Sequence, residues 1–282
     1  MTYLGDSIED VVETFKIYLE VKYPQHLTAL LQRERRDPQS VMLEAAMFSV
    51  VRFYGYKPVI GEVIGEGGVD FICRNENKEF LLEVTHLEKE AVERQSGMKD
   101  AVEDGQGGSF SMITHVLRTK ASEKAAQVSD YNMPRMLCIG TVHSGAQALL
   151  GKVAAKWLLT SETKIAVPIG EAKDKIHEET SLEHSVFFRF DENGSVEPCR
   201  QSISAILLVG LFHDSCSVVG LLHPEPAYCF PISLLPDIPF LRIANWPMTE
   251  GMIETEWIIS DPGEKSIPLR KIEIFDEELR TI

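Results

Sequence analysis

Apolar residues recur along this chain with two different periods, and the change of period divides it into segments. At the start the spacing is helical. Ile8, Val11, Val12, Phe15 and Leu19 fall three or four apart, and Ser7 with Asp10 resembles a capping box. Pro24 ends that run, and "HLTALLQRERR" reads as a short second helix before Pro38, its basic end a solvated one. In "SVMLEAAMFSVVRFYGY" the residues Leu43, Met47, Val50, Val51 and Tyr54 form an apolar stripe, with Glu44 at its border and Gly55 placed to end the helix left-handed.

The pattern then becomes extended. "KPVIGEVI", "GVDFICR" and "EFLLEVTHL" are three candidate strands divided by "GEGG" and "NENK". Residues 88–110 are polar and predict a part-helical excursion, a candidate lid. "SMITHVLRTKASEKAAQV" predicts a helix, "RMLCIGTVH" a buried strand and "AQALLGKVAAKWLL" a further amphipathic helix. Two hairpins follow, "SVFFRFDENGSVEPC" with Asn-Gly in its turn, and "ISAILLVGLF" with "SVVGLLH". Pro224, Pro226, Pro231, Pro236 and Pro239 predict a surface wrap that does not extend the sheet, and the tail from about 250 is weakly patterned. These elements predict an α/β fold, a central mixed β-sheet flanked by helices. Residues 1–38 would be an N-terminal helical extension, 39–245 the main α/β domain and 246–282 a tail packed on or extending from it.

Composition excludes some classes. No apolar run reaches a membrane-spanning length, and the acidic start lacks the basic region of a signal peptide, so a cytoplasmic protein without membrane contact is expected. The five cysteines are odd in number, widely spaced and without a CxxC pair, and read as reduced core thiols. A net charge of −15 argues against broad electrostatic binding of nucleic acid, so any such contact must be local and basic.

Two carboxylates are out of place in the strand pattern. If "NENK" turns the chain as an even-numbered hairpin, Asn75 faces Lys78, and counting back along both strands Asp70 faces Glu83. Like charges in that arrangement repel, and a half-buried pair raises at least one pKa unless a cation intervenes. A divalent metal with hard oxygen ligands relieves the repulsion. Thr85 shares Glu83's face, while His86 falls on the opposite one.

An acid-bearing helix, a strand with Asp, a strand with Glu-x-Lys and a helix with Lys and Gln make a pattern. In it, this chain resembles the PD-(D/E)XK nuclease superfamily, restriction-endonuclease-like enzymes. The matching residues are Glu44, Asp70 after Val69, "EVT" at 83–85, and Lys120, Lys124 and Gln127 in "KASEKAAQ". The likeness covers roughly residues 40–145. It departs from the family where Thr85 stands in place of the motif lysine. A threonine hydroxyl can position water but supplies no charge. The resemblance implies that Asp70, Glu83 and the backbone carbonyl of Val84 hold Mg²⁺ or Mn²⁺. It implies that Lys124 or Lys120 replaces the lysine, with Glu44 an outer acid and Gln127 positioning water or helix. The implied activity is metal-dependent hydrolysis of phosphodiester bonds in nucleic acid, DNA foremost, reached through a local basic groove, in a setting such as defence against foreign DNA. A homodimer or a partner subunit stays open. Thr85 and the acidic charge equally fit an inactive nuclease-fold scaffold or regulatory subunit, and a metal enzyme acting on a small nucleotide would also tolerate an acidic surface.

Overall fold

The computed structural model describes residues 5–65, 67–76, 78–100, 110–127, 132–161, 163–166, 177–180, 182–247, 253–258 and 266–274. Three helices lead: α1 (Ile8–Lys22), α2 (Pro24–Glu34) and α3 (Pro38–Phe53). Ser7 caps α1 by accepting the Asp10 amide, and Asp37 caps α3 by accepting the Ser40 amide. Proline stands at the first position of α2 and α3, where its missing N–H has no intrahelical partner to lose. Gly55, just past α3, takes φ 81°.

Strands β1 (Lys57–Ile60), β2 (Phe71–Asn75) and β3 (Lys78–His86) follow, then α4 (Lys89–Ser96) and α5 (Phe110–Gln127). Next come β4 (Arg135–Thr141), α6 (Ala146–Leu149) and α7 (Lys152–Thr160). Two small hairpins, β5 (Thr163–Ala166) with β6 (His177–Thr180) and β7 (Phe188–Phe190) with β8 (Val196–Pro198), stand apart from the main sheet. Strands β9 (Ala205–Leu211), β10 (Ser215–Leu222), β11 (Phe240–Ile243), β12 (Thr255–Ile258) and β13 (Ser266–Pro268) complete the order.

Among the described residues nine strands form one mixed sheet in the order β1-β2-β3-β4-β9-β10-β11-β12, with β13 also pairing β10. The sheet is antiparallel from β1 to β3, parallel across β3-β4-β9, and antiparallel again at β9-β10. Central β4 and β9 are buried throughout, as strands covered on both faces must be. Their alternation assigns the two layers. Met136, Cys138, Leu207 and Val209 pack with α1 and α3, whereas Leu137, Ile139, Ile206 and Leu208 pack with α5 and α7.

Two expectations need correction. Residues 224–239 do wrap, but β11 begins directly after Pro239 and joins β10 in parallel, since proline just outside a strand removes no ladder bond. The tail is also more ordered than its pattern predicts, because β12 pairs β11 and β13 pairs β10. Part of the excursion after β3 is helical, as α4, ended by left-handed Gly97, while 101–109 lie outside the described residues. Among the described residues no helix is long and apolar enough to cross a membrane.

One glycine sets how closely α3 approaches the sheet. A Cβ on Gly140 of β4 would stand 2.7 Å from Leu43 Cδ1 and 3.0 Å from the Val209 carbonyl oxygen. Leu43 is fully buried and cannot swing aside. Gly140→Ala is expected to destabilise the protein by about 1–3 kcal/mol through overpacking, read as a lower urea midpoint. An unchanged midpoint would show that α3 is not held at that distance.

Candidate active site

The β2–β3 hairpin has the register expected from its turn, with Asn75 opposite Lys78 and Phe71 opposite Leu82. One step further Asp70 comes level with Glu83, but there the ladder has ended. The Asp70 carbonyl accepts the Gly61 amide at 3.1 Å, and its side-chain Oδ2 accepts the Val84 amide at 2.6 Å. The carboxylate thus does for β3 what a main-chain carbonyl of a longer β2 would have done. Because a strand amide lies in the plane of the sheet, Asp70 sits at the sheet's open edge and not squarely on one face. The Val84 carbonyl points to that same edge, since both backbone groups of one strand residue face the same neighbour.

Glu83 lies in the middle of β3, 8% exposed. Its Oε1 accepts from Lys124 Nζ at 2.5 Å, while Oε2 is buried with no hydrogen-bond partner among the described residues. Lys124 reaches it because α5 packs Ile113, Leu117 and Ala121 against the sheet, and residue 124 continues that face by one turn. Lys120 is on the same face but turns to Glu123 at 3.0 Å on its own helix. A cavity of about 20 Å³, room for a single water, lies between Glu83, Lys124, Arg135 and Ser202.

Glu44 approaches from the other layer. It is buried in α3, forms an ion pair with Arg33 of α2, and lines a cleft of about 220 Å³ with Asp70, Arg33, His26 and Glu62. The His26 ring donates to the Glu62 carbonyl at 2.9 Å, tying α2 to the loop between β1 and β2. Burial pushes the Glu44 carboxyl up to about 7, opposed by Arg33 and reinforced by the charges of Glu62 and Glu83. Burial also holds Asp70 well above the usual carboxylate range, together with Glu83 and Glu44, against the Val84 amide and Lys124. Asp70 is therefore the electrostatic hinge between the two layers.

The remaining sequence candidates fall as follows. Thr85 is buried two residues beyond Glu83, on the same side of β3. His86 belongs to the opposite face, where burial lowers its pKa and Nδ1 stands 3.5 Å from Asp37. Gln127 ends α5, and its side chain lies outside the described residues. The basic end of α2 is not merely solvated, because Arg33 turns inward to the buried Glu44. Arg135 and Ser202 beside Glu83, and His26 and Glu62 beside Asp70, carry no motif that singles them out. Only the register of distant elements brings them in.

Asp70, Glu83 and the Val84 carbonyl are the hard oxygens that could serve a divalent cation, and among the described residues buried Glu83 Oε2 has no donor. Among the described residues no three His, Cys, Asp or Glu side chains group to hold a metal by themselves.

Lys124 and Lys120 give an internal comparison. Lys124→Met leaves the Glu83 carboxylate buried without its cation and is expected to cost about 2–4 kcal/mol in urea unfolding. Lys120→Met removes a pair exposed on both sides and is expected to stay within about 0.5 kcal/mol of wild type. Equal effects would mean that the Lys124–Glu83 contact carries no special weight.

Comparison with family models, with curated proteins and with solved structures finds no match, so the geometry of the site carries its functional reading.

Proposed function

We propose that this protein is a metal-dependent nuclease that hydrolyses phosphodiester bonds in nucleic acid. The observation that carries the reading is the delivery of Lys124 from α5 to Glu83, on the side of β3 where Thr85 replaces the expected lysine. Asp70, Glu83 and the Val84 carbonyl would hold Mg²⁺ or Mn²⁺. Such an ion, when bound, lowers the pKa of a coordinated water and neutralises charge on the phosphate.

The chain's own groups have separable tasks. Lys124 keeps a positive charge beside Glu83 and offers its remaining N–H donors to a phosphate oxygen as negative charge grows there. The Thr85 hydroxyl can orient a water but adds no charge. Burial raises the Glu44 carboxyl to about 7, so the cleft it shares with Asp70 holds a carboxyl that takes up a proton more readily than an ordinary one. Arg33 fixes the orientation of that carboxyl.

One observation favours a second reading, an inactive nuclease-fold scaffold. Lys124 already neutralises Glu83, so the pair is satisfied in part without any metal. The two readings separate in one set of measurements. A working nuclease cleaves DNA or RNA with Mg²⁺ or Mn²⁺ and stops when a chelator is added. Glu83→Gln should lower the rate at least about a hundredfold, since it removes charge aimed at the reacting centre. Metal at about a hundred times its Kd should raise the Tm by roughly 5 °C, and less in the variant. Absence of both cleavage and a metal-dependent Tm shift, across single and double strands of DNA and RNA, selects the scaffold. Cleavage that survives Glu83→Gln places the chemistry elsewhere.

A further inference from the structure

We propose that Arg118 and Arg200 form an oxyanion site that grips a phosphate of the bound ligand, on the helix and loop that also line the cavity at Glu83 and Lys124, with a polynucleotide as occupant if the nuclease reading holds. Four of the other arginines meet acids, while Arg52 and Arg135 donate to main-chain carbonyls. Arg33 pairs with Glu44, Arg74 with Glu79, Arg189 with Glu197 and Arg242 with Glu256. Arg118 and Arg200 do not. Arg118 Nη1 donates to the His184 carbonyl at 2.7 Å. Arg200 donates to the Val186 carbonyl at 2.6 Å and, through Nε and Nη2, to Ser122 Oγ at 2.8 and 2.5 Å. Its Nη1 also lies 3.0 Å from Cys199 Sγ. Among the described residues every partner of these two guanidiniums is neutral.

The two groups are close enough to oppose each other. Burial and the charge of Arg200 both lower the Arg118 pKa, and no acid counters them. Ser122 stands one turn from Arg118 on α5 and receives Arg200, so one helix face carries the first guanidinium and meets the second. Arg200 itself is held at φ 59°, a left-handed conformation that a side chain adopts only at some cost. Two half-buried like charges, fixed by carbonyls and a hydroxyl, lack the anion that would offset them. Planar guanidinium forks match the geometry of phosphate oxygens.

Position links this pair to the candidate active site. Ser202, two residues after Arg200, donates to the Ala125 carbonyl of α5 at 3.0 Å and lines the small cavity with Glu83 and Lys124. One loop and one helix thus carry the arginine pair and residues that line the Glu83 cavity, Arg200 standing within about 7 Å of Ser202 along the chain and Arg118 preceding Lys124 on α5. This seam supplies the local positive charge that a polynucleotide needs against a net charge of −15. A purely structural role, stapling α5 to residues 184–200, uses the same hydrogen bonds and must be told apart.

Arg118→Gln makes that separation, because the amide still donates to the His184 carbonyl while the charge is lost. Arg118→Lys keeps the charge and loses the fork. The full chain is titrated, in chelator to prevent turnover, against fluorescent single- and double-stranded oligonucleotides over a range of salt. A methylphosphonate oligomer, inorganic phosphate and a nucleoside monophosphate are run in parallel. Arg118→Gln should weaken oligonucleotide binding by about tenfold to a hundredfold. It should also lower the salt slope by about one, with an unchanged Tm. Arg118→Lys should keep the slope, and the methylphosphonate oligomer should bind poorly to every form.

Binding unaffected by Arg118→Gln overturns the site, even if cleavage proceeds and the nuclease reading stands. A loss of binding that tracks a loss of Tm in both variants assigns the arginines to structure and overturns it too, as does failure of wild type to bind any phosphate probe. Arg118-dependent binding of phosphate or mononucleotide, without oligonucleotide binding or cleavage, supports the site with a small phosphate ligand and refutes the nuclease reading.

Discussion

A carboxylate withdrawn from water has to be compensated by donors or cations, and at Asp70 this requirement organises the surrounding structure. Its Oδ2 closes the end of the β2–β3 ladder on the Val84 amide, which stops β2 there and leaves the edge of β3 open. The same carboxylate feels Glu83 from one layer and Glu44 from the other. Each neighbouring acid then needs a cation of its own. Lys124 comes from α5 and Arg33 from α2, so the placement of two helices on opposite faces answers one electrostatic problem.

How much of this was legible along the chain depends on how local each cause is. The hairpin register follows from the four residues of its turn, and the observed pairing of Asn75 with Lys78 carries that count to Asp70 and Glu83. The mixed sheet with flanking helices was legible from the change of period, because alternation in β4 and β9 separates two apolar layers. Strand β11 was hidden by its length and by Pro239 at its edge, and its parallel pairing with β10 depends on a connection that wraps the surface. Arg33 and Glu44 belong to different helices, so no spacing rule pairs them. Between Lys120 and Lys124 face alone does not decide. What decides is position along the axis of α5, since only Lys124 comes level with Glu83 while Lys120 finds Glu123.

The distribution of charge is informative in the same local way. Net acidity describes the surface as a whole, yet the cations near Glu83 come from elements far apart in the chain: Lys124 from α5, and Arg135 at the start of β4. A mean charge averages over that gathering and conceals it. The cleft on the other side, around Asp70 and Glu44, stays acid-rich, with Arg33 and His26 as its basic members.

The contacts around the β2–β3 hairpin also differ in the length of chain they close. Asp70 and the Val84 amide are 14 residues apart, whereas Lys124 is 41 residues from Glu83. Short loops close at a smaller entropic cost and on faster timescales than long ones, and a two-stranded ladder can form before a crossover returns. The contact that supplies the cation thus closes a much longer loop than the one that brings the two acids level, and it offsets their repulsion only in part, since Asp70 still feels Glu83. The charge balance of this corner of the sheet therefore rests on a helix that contributes no strand to it.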